Sequence, residues 1–200
     1  IARALAAEPS FIICDEVTSA LDVSVQAAIL DLLALVRREL GTAMVFVTHN
    51  IALAREVADR IAVLDRGTIQ QFDTPQTLYE RPRNRFVAEF VGRGTVVPVQ
   101  AVEATDSAVH AQVLGARIAV QSGRNGGGID HVCLRPENLT ITETGDLRAR
   151  VARVTYLGGK YLLETVADCG TRLLAETRAK FDVGAQLGLT ITTPWAFSED

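Results

Sequence analysis

An α/β region followed by an all-β region is the fold class that this sequence predicts, and three observations predict it. Apolar, β-branched runs alternate with stretches of helical period through residues 1–94. Beyond Gly92-Arg93-Gly94 helical periodicity nearly disappears, and Val, Thr, Ile and Gly dominate. The later runs are short and divided by turn clusters, the pattern of a small barrel or sandwich. The boundary therefore falls at 93–95, with 1–94 as one domain and 95–200 as the other; 200 residues suit two small domains.

Taken in order, IARALAA ends a helix at Glu8-Pro9, because proline disfavours helical geometry in the residue before it. FIICD (11–15) reads as a buried strand. From Val23 the period changes: Val25, Ala28, Ile29, Leu32, Leu33, Val36 and Leu40 share one helical face, with Asp22 as N-cap and Gly41 closing the helix. AMVFVTH (43–49) is a second apolar strand running into polar residues, and NIALAREVADR is a helix capped by Asn50. IAVLD and TIQQFD flank Arg66-Gly67 as a strand pair around a tight turn. Thr74-Pro75 opens a helix with a cap and a first-turn proline, and NRFVAEFVG adds a short one. Strands alternating with helices imply a parallel sheet covered by helices. In the second region the predicted strands are VVPVQAVEA, AVHAQVL, ARIAVQ, HVCLRP, LTITE, RARVARVTYL, KYLLETVA, TRLLAET and LGLTIT.

The composition is that of an ordinary folded protein, 48% hydrophobic and 22% charged. A net charge of −4 gives no sign of a nucleic-acid surface. No apolar run reaches the ~18 residues of a membrane-spanning helix, so a link to a membrane would run through a partner. Cys14, Cys133 and Cys169 are scattered and odd in number, which reads as reduced thiols, not a disulfide frame or zinc site.

Asp15 and Glu16 are the unusual feature: two adjacent carboxylates at the carboxyl end of an apolar strand, where open α/β sheets put ligand sites. An unpaired carboxylate is costly to desolvate, so such a pair implies a cation or a reaction. An apolar run followed by Asp-Glu is the Walker B pattern, in which the Asp holds Mg²⁺, usually through water, and the Glu orients and polarises the attacking water. The second apolar strand ends in Thr48-His49, where a histidine can hydrogen-bond a γ-phosphate and help position that water. Between them, Ser19-Ala20-Leu21-Asp22 puts two hydrogen-bonding side chains on a strand-to-helix turn. Singly, each has an ordinary reading: a solvated strand end, an exposed histidine, a helix N-cap at Asp22. Their order and spacing point past it.

DEVTSALD and VFVTHN resemble the nucleotide-binding subunits of ABC transporters. By that resemblance FIICDE is Walker B, SALD is the D-loop, His49 is the switch histidine, and IARALAAEPS is the helix that follows the signature motif. Val17 stands where the family has proline, which changes loop stiffness and not chemistry. IAVLDRGTIQQFDTPQTLYERPRNRFVAEFVG resembles the end of the same domain, so the match covers nearly all of 1–94. The resemblance implies a P-loop ATPase using ATP and Mg²⁺, with Asp15 on the metal, Glu16 as general base, His49 at the γ-phosphate, and Ser19 and Asp22 communicating across a dimer. The family's phosphate loop (GxxxxGK followed by Ser or Thr) and its LSGGQ signature are missing from these residues. Gly158-Gly159-Lys160 reads as a turn in the β-rich half, and Ser122 to Gly128 as a flexible hairpin loop. The resemblance thus implies the C-terminal portion of a longer subunit, one expected to bind MgATP weakly or not at all by itself and to be inactive alone.

In the β-rich half, CLRPENLTI, RVTYLGGKYLLE and LLAETRAKFDVGAQLGLTI are similar to the TOBE-type domain that follows the ATPase in some importer subunits, an OB-like barrel. Arg135-Pro136-Glu137 matches its R-P-E element and Tyr156-Leu157-Gly158 its Y-L-G element. On the residues alone, Arg135 and Glu137 read as a strand-end ion pair about a rigid proline, worth little when exposed, in preference to an effector site. An oligonucleotide-binding barrel needs basic and aromatic residues on one face, but 95–200 has no basic cluster and few aromatics.

The implied whole is the ATP-hydrolysing subunit of an importer for a small solute such as a polyamine, ferric iron or a phosphonate. Its implied partners are a second copy of itself, transmembrane permease subunits at the cytoplasmic face of the bacterial inner membrane, and, indirectly, a periplasmic solute-binding protein; nucleic acid is not among them. A different class stays open: a non-enzymatic regulatory or interaction module whose TOBE-like domain binds a small ligand or a partner.

Overall fold

In the computed structural model, which describes residues 2–18, 21–105, 108–123 and 128–199, the chain forms two compact units, 1–61 with 73–75 and 62–72 with 76–200. Ser19 and positions 124–127 of the glycine-rich stretch lie outside the described residues.

The first unit runs α1 (Ala2–Leu5), β1 (Phe11–Asp15), α2 (Val23–Leu40), β2 (Ala43–Val47) and α3 (Ile51–Val57). Strands β1 and β2 pair in parallel, from Phe11 opposite Ala43 to Asp15 opposite Val47, with α2 as the crossover that a parallel pair requires. Helix α2 starts where the Asp22 side chain accepts the Val25 N–H, and stops where Gly41, at φ 65°, donates its N–H to the Arg37 carbonyl. Asn50 caps α3 in the same way through Leu53.

Neither strand is buried on both faces, contrary to what FIICD and AMVFV lead one to expect. Cys14 is buried, but Ile13 is 65% and Val47 50% exposed. Alternation explains the split. Met44 and Phe46 line a cavity of about 220 Å³ with Leu33 and Ala34 of α2 and Val57 of α3, while the odd-numbered face of this two-stranded sheet stays open among the described residues.

The chain continues through β3 (Ile61–Asp65), β4 (Thr68–Asp73), α4 (Pro75–Glu80) and α5 (Arg85–Val91). Arg66 at φ 48° and Gly67 at φ 77° make the β3–β4 connection a turn with two left-handed central residues, the hairpin type whose twist matches its strands. The remaining strands are β5 (Thr95–Pro98), β6 (Ala101–Ala104), β7 (Val109–Val113), β8 (Ala116–Ser122), β9 (His131–Leu134), β10 (Leu139–Thr142), β11 (Leu147–Tyr156), β12 (Tyr161–Ala167), β13 (Arg172–Thr177), β14 (Gln186–Ile191) and β15 (Trp195–Phe197). They form a five-stranded sheet, β10-β14-β11-β12-β13, and a six-stranded sheet, β5-β9-β15-β8-β7-β6. The five-stranded sheet curls so that β10 and β13 lie side by side. One core joins the two: Val113, Ile118, Val132 and Leu134 from one sheet meet Leu139, Leu147, Leu173 and Leu189 from the other. Gly158 and Gly159, at φ 73° and 88°, make the turn between β11 and β12 that the sequence predicts.

Two strand expectations change. VVPVQAVEA is not one strand: it breaks after Pro98, which has no N–H to give, so β5 pairs with β9 and β6 with β7. Strand β15 was not expected, because three residues after Pro194 are too short to show alternation; it completes its sheet by pairing with both β8 and β9.

Arg135 also departs from its sequence reading. It is 4% exposed and makes no ion pair with Glu137. Its Nη1 donates to the Arg93 carbonyl and its Nη2 to the Tyr79 carbonyl, both at 3.2 Å, and its guanidinium carbon lies 4.4 Å over the Tyr79 ring. Trp195 Nε1 donates to the Pro82 carbonyl at 3.0 Å, and Ala88 packs with Cys133 and Phe197. These contacts anchor 76–94 to the β-rich unit, which is why the compact units divide ahead of the change in sequence texture at 94. The three cysteines are free, Cys14 and Cys133 buried and Cys169 exposed.

Candidate functional site

The register of the parallel pair builds the site. Asp15 ends β1 with an exposed side chain, and the Glu16 N–H donates to the Val47 carbonyl at 2.9 Å, carrying the ladder one residue further. Glu16 sits at φ 45°, a left-handed conformation that costs a non-glycine residue roughly 1 kcal/mol. Its Oε1 is 2.9 Å from His49 Nδ1, with the two side chains 47% and 76% exposed. An ionised carboxylate only accepts, so Nδ1 carries the proton and Nε2 is left as the ring's other hydrogen-bonding atom. Thr48 Oγ1 accepts the Asn50 N–H at 3.0 Å and Asn50 Oδ1 accepts the Leu53 N–H at 3.2 Å, which fixes the residues flanking His49 to the start of α3.

Of the five residues singled out in the sequence, the structure thus brings Asp15, Glu16 and His49 together at the carboxyl ends of two neighbouring parallel strands. Asp22 is turned to its own helix: Oδ1 accepts from the Val25 N–H at 2.9 Å and from the Ser24 hydroxyl at 2.7 Å. Ser19 lies outside the described residues. A carboxylate already hydrogen-bonded to an imidazole, and open to solvent, is placed to take a proton from water. Among the described residues, no group of three or more His, Cys, Asp and Glu side chains gathers in a metal-ligating arrangement.

The Val25 backbone bond, and then the Ser24 hydroxyl, hold the Asp22 carboxyl below its ordinary range. A depressed folded pKa stabilises the helix start fully above the ordinary value of ~3.9, and that contribution is lost as pH falls through the lower folded value. Acid titration from about pH 6 to about pH 2, followed by helical ellipticity, is expected to show an inflection below ~4 that Asp22→Asn removes, since asparagine caps as well and binds no proton. An unchanged inflection in that variant would assign it to another carboxylate.

Sequence reasoning singled out Arg135 but missed the Tyr79 ring and the backbone carbonyls that hold it, and missed the bond from Trp195 to the Pro82 carbonyl. The available signal was Gly92-Arg93-Gly94, read only as punctuation. A Cβ at Gly92 would stand 2.5 Å from the Tyr79 ring, and one at Gly94 3.0 Å from the Leu134 carbonyl oxygen and 3.1 Å from Arg135 Cδ. These glycines mark a close backbone approach.

Residues 132–197 match the TOBE domain family. The chain is 34% identical over 203 residues to the spermidine/putrescine import ATP-binding protein PotA of Pseudomonas fluorescens, covering 94% of this chain and 54% of that protein. It is 35% identical over 207 residues to the spermidine/putrescine import ATP-binding protein PotA of Rubrobacter xylanophilus, covering 98% and 54%. It is 34% identical over 181 residues to the Fe(3+) ions import ATP-binding protein FbpC of Rhizobium etli, covering 88% and 50%. The chain spans about half the length of the curated relatives it matches. With a TOBE domain at its end and matches running through both of its units, the chain belongs to the ABC importer ATP-binding subunits that carry a C-terminal TOBE domain.

Proposed function

We propose that this chain supplies the catalytic carboxylate and histidine for ATP hydrolysis in a full-length importer subunit that energises uptake of a polyamine, ferric iron or a similar small solute. The observation that carries the reading is the Glu16–His49 hydrogen bond beside Asp15 at the ends of the parallel strands. Asp15 would hold Mg²⁺ through water, as suits an ion that keeps several of its waters and is bound through one or two carboxylates. The chemistry such an ion would supply beside ATP is neutralisation of phosphate charge. Glu16 accepts the proton of the attacking water and is held in position by His49 Nδ1–H, while His49, carrying a proton on both ring nitrogens in this role, donates through Nε2–H to the γ-phosphate. By the likeness of SALD to the family's D-loop, Ser19 and Asp22 are assigned to communication with a second copy of the subunit.

In this reading 1–94 is the end of the nucleotide-binding domain and 95–200 the TOBE domain. Two subunits sit at the cytoplasmic face of the bacterial inner membrane and drive permease partners between inward- and outward-facing states, with solute delivered by a periplasmic binding protein. The named cargoes of the relatives, spermidine/putrescine and Fe(3+) ions, support the solute class. The test is reconstitution of the full-length subunit with the permeases encoded beside it, measuring Mg²⁺-dependent ATP hydrolysis and uptake of labelled spermidine and ferric iron. Hydrolysis coupled to uptake of either solute is expected. A full-length subunit without Mg²⁺-dependent hydrolysis would be the non-enzymatic module instead, and hydrolysis coupled to neither solute would remove the proposed cargo class.

A further inference from the structure

A cavity of about 270 Å³ lies within the second unit, at the seam between α4 and the β-sheets. Its size, a little below the ~300–1,000 Å³ of drug-sized pockets, suits a metabolite of amino-acid dimensions. Glu80, Arg81, Arg135, Glu137, Asn138 and Trp195 are among its lining residues.

Arg135 is the group that asks for a ligand. A buried guanidinium is costly unless it is paired and its donors are satisfied. Arg135 is 4% exposed, yet only two of its donors find partners, both neutral carbonyls at 3.2 Å, and its buried Nε has none. Among the described residues no carboxylate pairs with it. The Tyr79 ring beneath it offsets part of the charge and holds the fork flat. A fixed, under-neutralised guanidinium lining a cavity offers N–H donors to a planar anion, with a carboxylate the best geometric match.

A simple anion does not fit the rest of the lining. Glu80 and Glu137 are exposed carboxylates on the same cavity, repelling a bare anion and attracting an ammonium group. Trp195 supplies an apolar face whose orientation is set by its bond to the Pro82 carbonyl, and Arg81 already lies 5.6 Å over its ring. We propose that this cavity binds a small zwitterion of the α-amino-acid type, its carboxylate on Arg135, its ammonium toward Glu80 and Glu137, and its side chain against Trp195. A ligand there touches both α4 and the sheets, so its occupancy tightens the seam between them. The site stands on its own residues and is independent of ATP hydrolysis.

Trp195 is the chain's single tryptophan, so its emission reads the cavity directly. The experiment titrates each of the twenty L-amino acids into the 200-residue chain, with acetate and methylamine at matched concentration as half-ligands. At least one amino acid is expected to give a saturable change in Trp195 emission that neither half-ligand reproduces. The double variant Glu80→Gln/Glu137→Gln, at two exposed positions that carry no core contact, is expected to weaken that binding about tenfold, the scale of one charge-assisted contact. Arg135→Lys is expected to weaken it as well by losing the fork, and the double variant keeps the test decisive if the lysine variant does not fold. No saturable change with any amino acid would overturn the proposal, as would acetate binding equally well or undiminished binding in the double variant.

Discussion

Glu16→Gln in the full-length subunit is expected to lower Mg²⁺-dependent ATP hydrolysis by about 10²–10⁴-fold, the range that a general base contributes, while MgATP affinity stays near that of the parent. The amide keeps the size and hydrogen-bonding reach of the side chain, so the bond to His49 Nδ1, 2.9 Å in the parent, survives with the amide oxygen as acceptor. The basic lone pair does not survive, because an amide oxygen does not take up a proton near neutral pH. Loss is therefore confined to the step in which water is deprotonated, and nucleotide binding is untouched. Single-turnover hydrolysis measured beside equilibrium binding separates the two. Near-normal hydrolysis would remove Glu16 from the role of base, and a parallel collapse of binding would make it a binding residue instead.

That site was legible in the sequence because its geometry follows from one local rule. Neighbouring parallel strands that end in step put the residues just past their ends side by side. The register setting Asp15 opposite Val47 places Glu16 level with Thr48, one position from His49. The boundaries of α2 and α3 were legible for an equally local reason: Asp22, Gly41 and Asn50 satisfy end groups within four residues of themselves. What could not be read depends on distant partners. The composition of FIICD suits a strand covered twice, but whether Ile13 is covered is decided by chain far from it. Arg135 stacks on Tyr79 and bonds Arg93, 56 and 42 residues away, and no period or cap announces such a contact. Strand β15 exists because β8 and β9 hold a place for it, not because Trp195-Ala196-Phe197 prefers to be a strand.

The same dependence on distant backbone makes Gly145 the position where one added methyl group is expected to do the most structural damage. The connection from β10 to β11 crosses β14 there, and Asp146 Oδ2 accepts the Ile191 N–H at 2.8 Å. A Cβ on Gly145 would fall on the Leu189 amide nitrogen and within 2.5 Å of its carbonyl carbon; one on Gly188 would stand 2.6 Å from both the Gly145 nitrogen and the Thr142 oxygen. These are backbone atoms of a paired strand, so no side chain can rotate away to make room. Gly145→Ala must lift the connection off β14, loosen the Asp146–Ile191 bond, and open the core where Leu147, Leu189 and Ile191 meet. The expected loss is about 3 kcal/mol, the upper end for overpacking, read from urea unfolding followed by Trp195 emission. Gly184→Ala is the control: it has φ 93° and nothing within 4 Å of the new Cβ, so it pays only the left-handed strain of about 1–2 kcal/mol. If Gly145→Ala proved no less stable than Gly184→Ala, the close crossing of the two backbones would not be a feature of the folded protein.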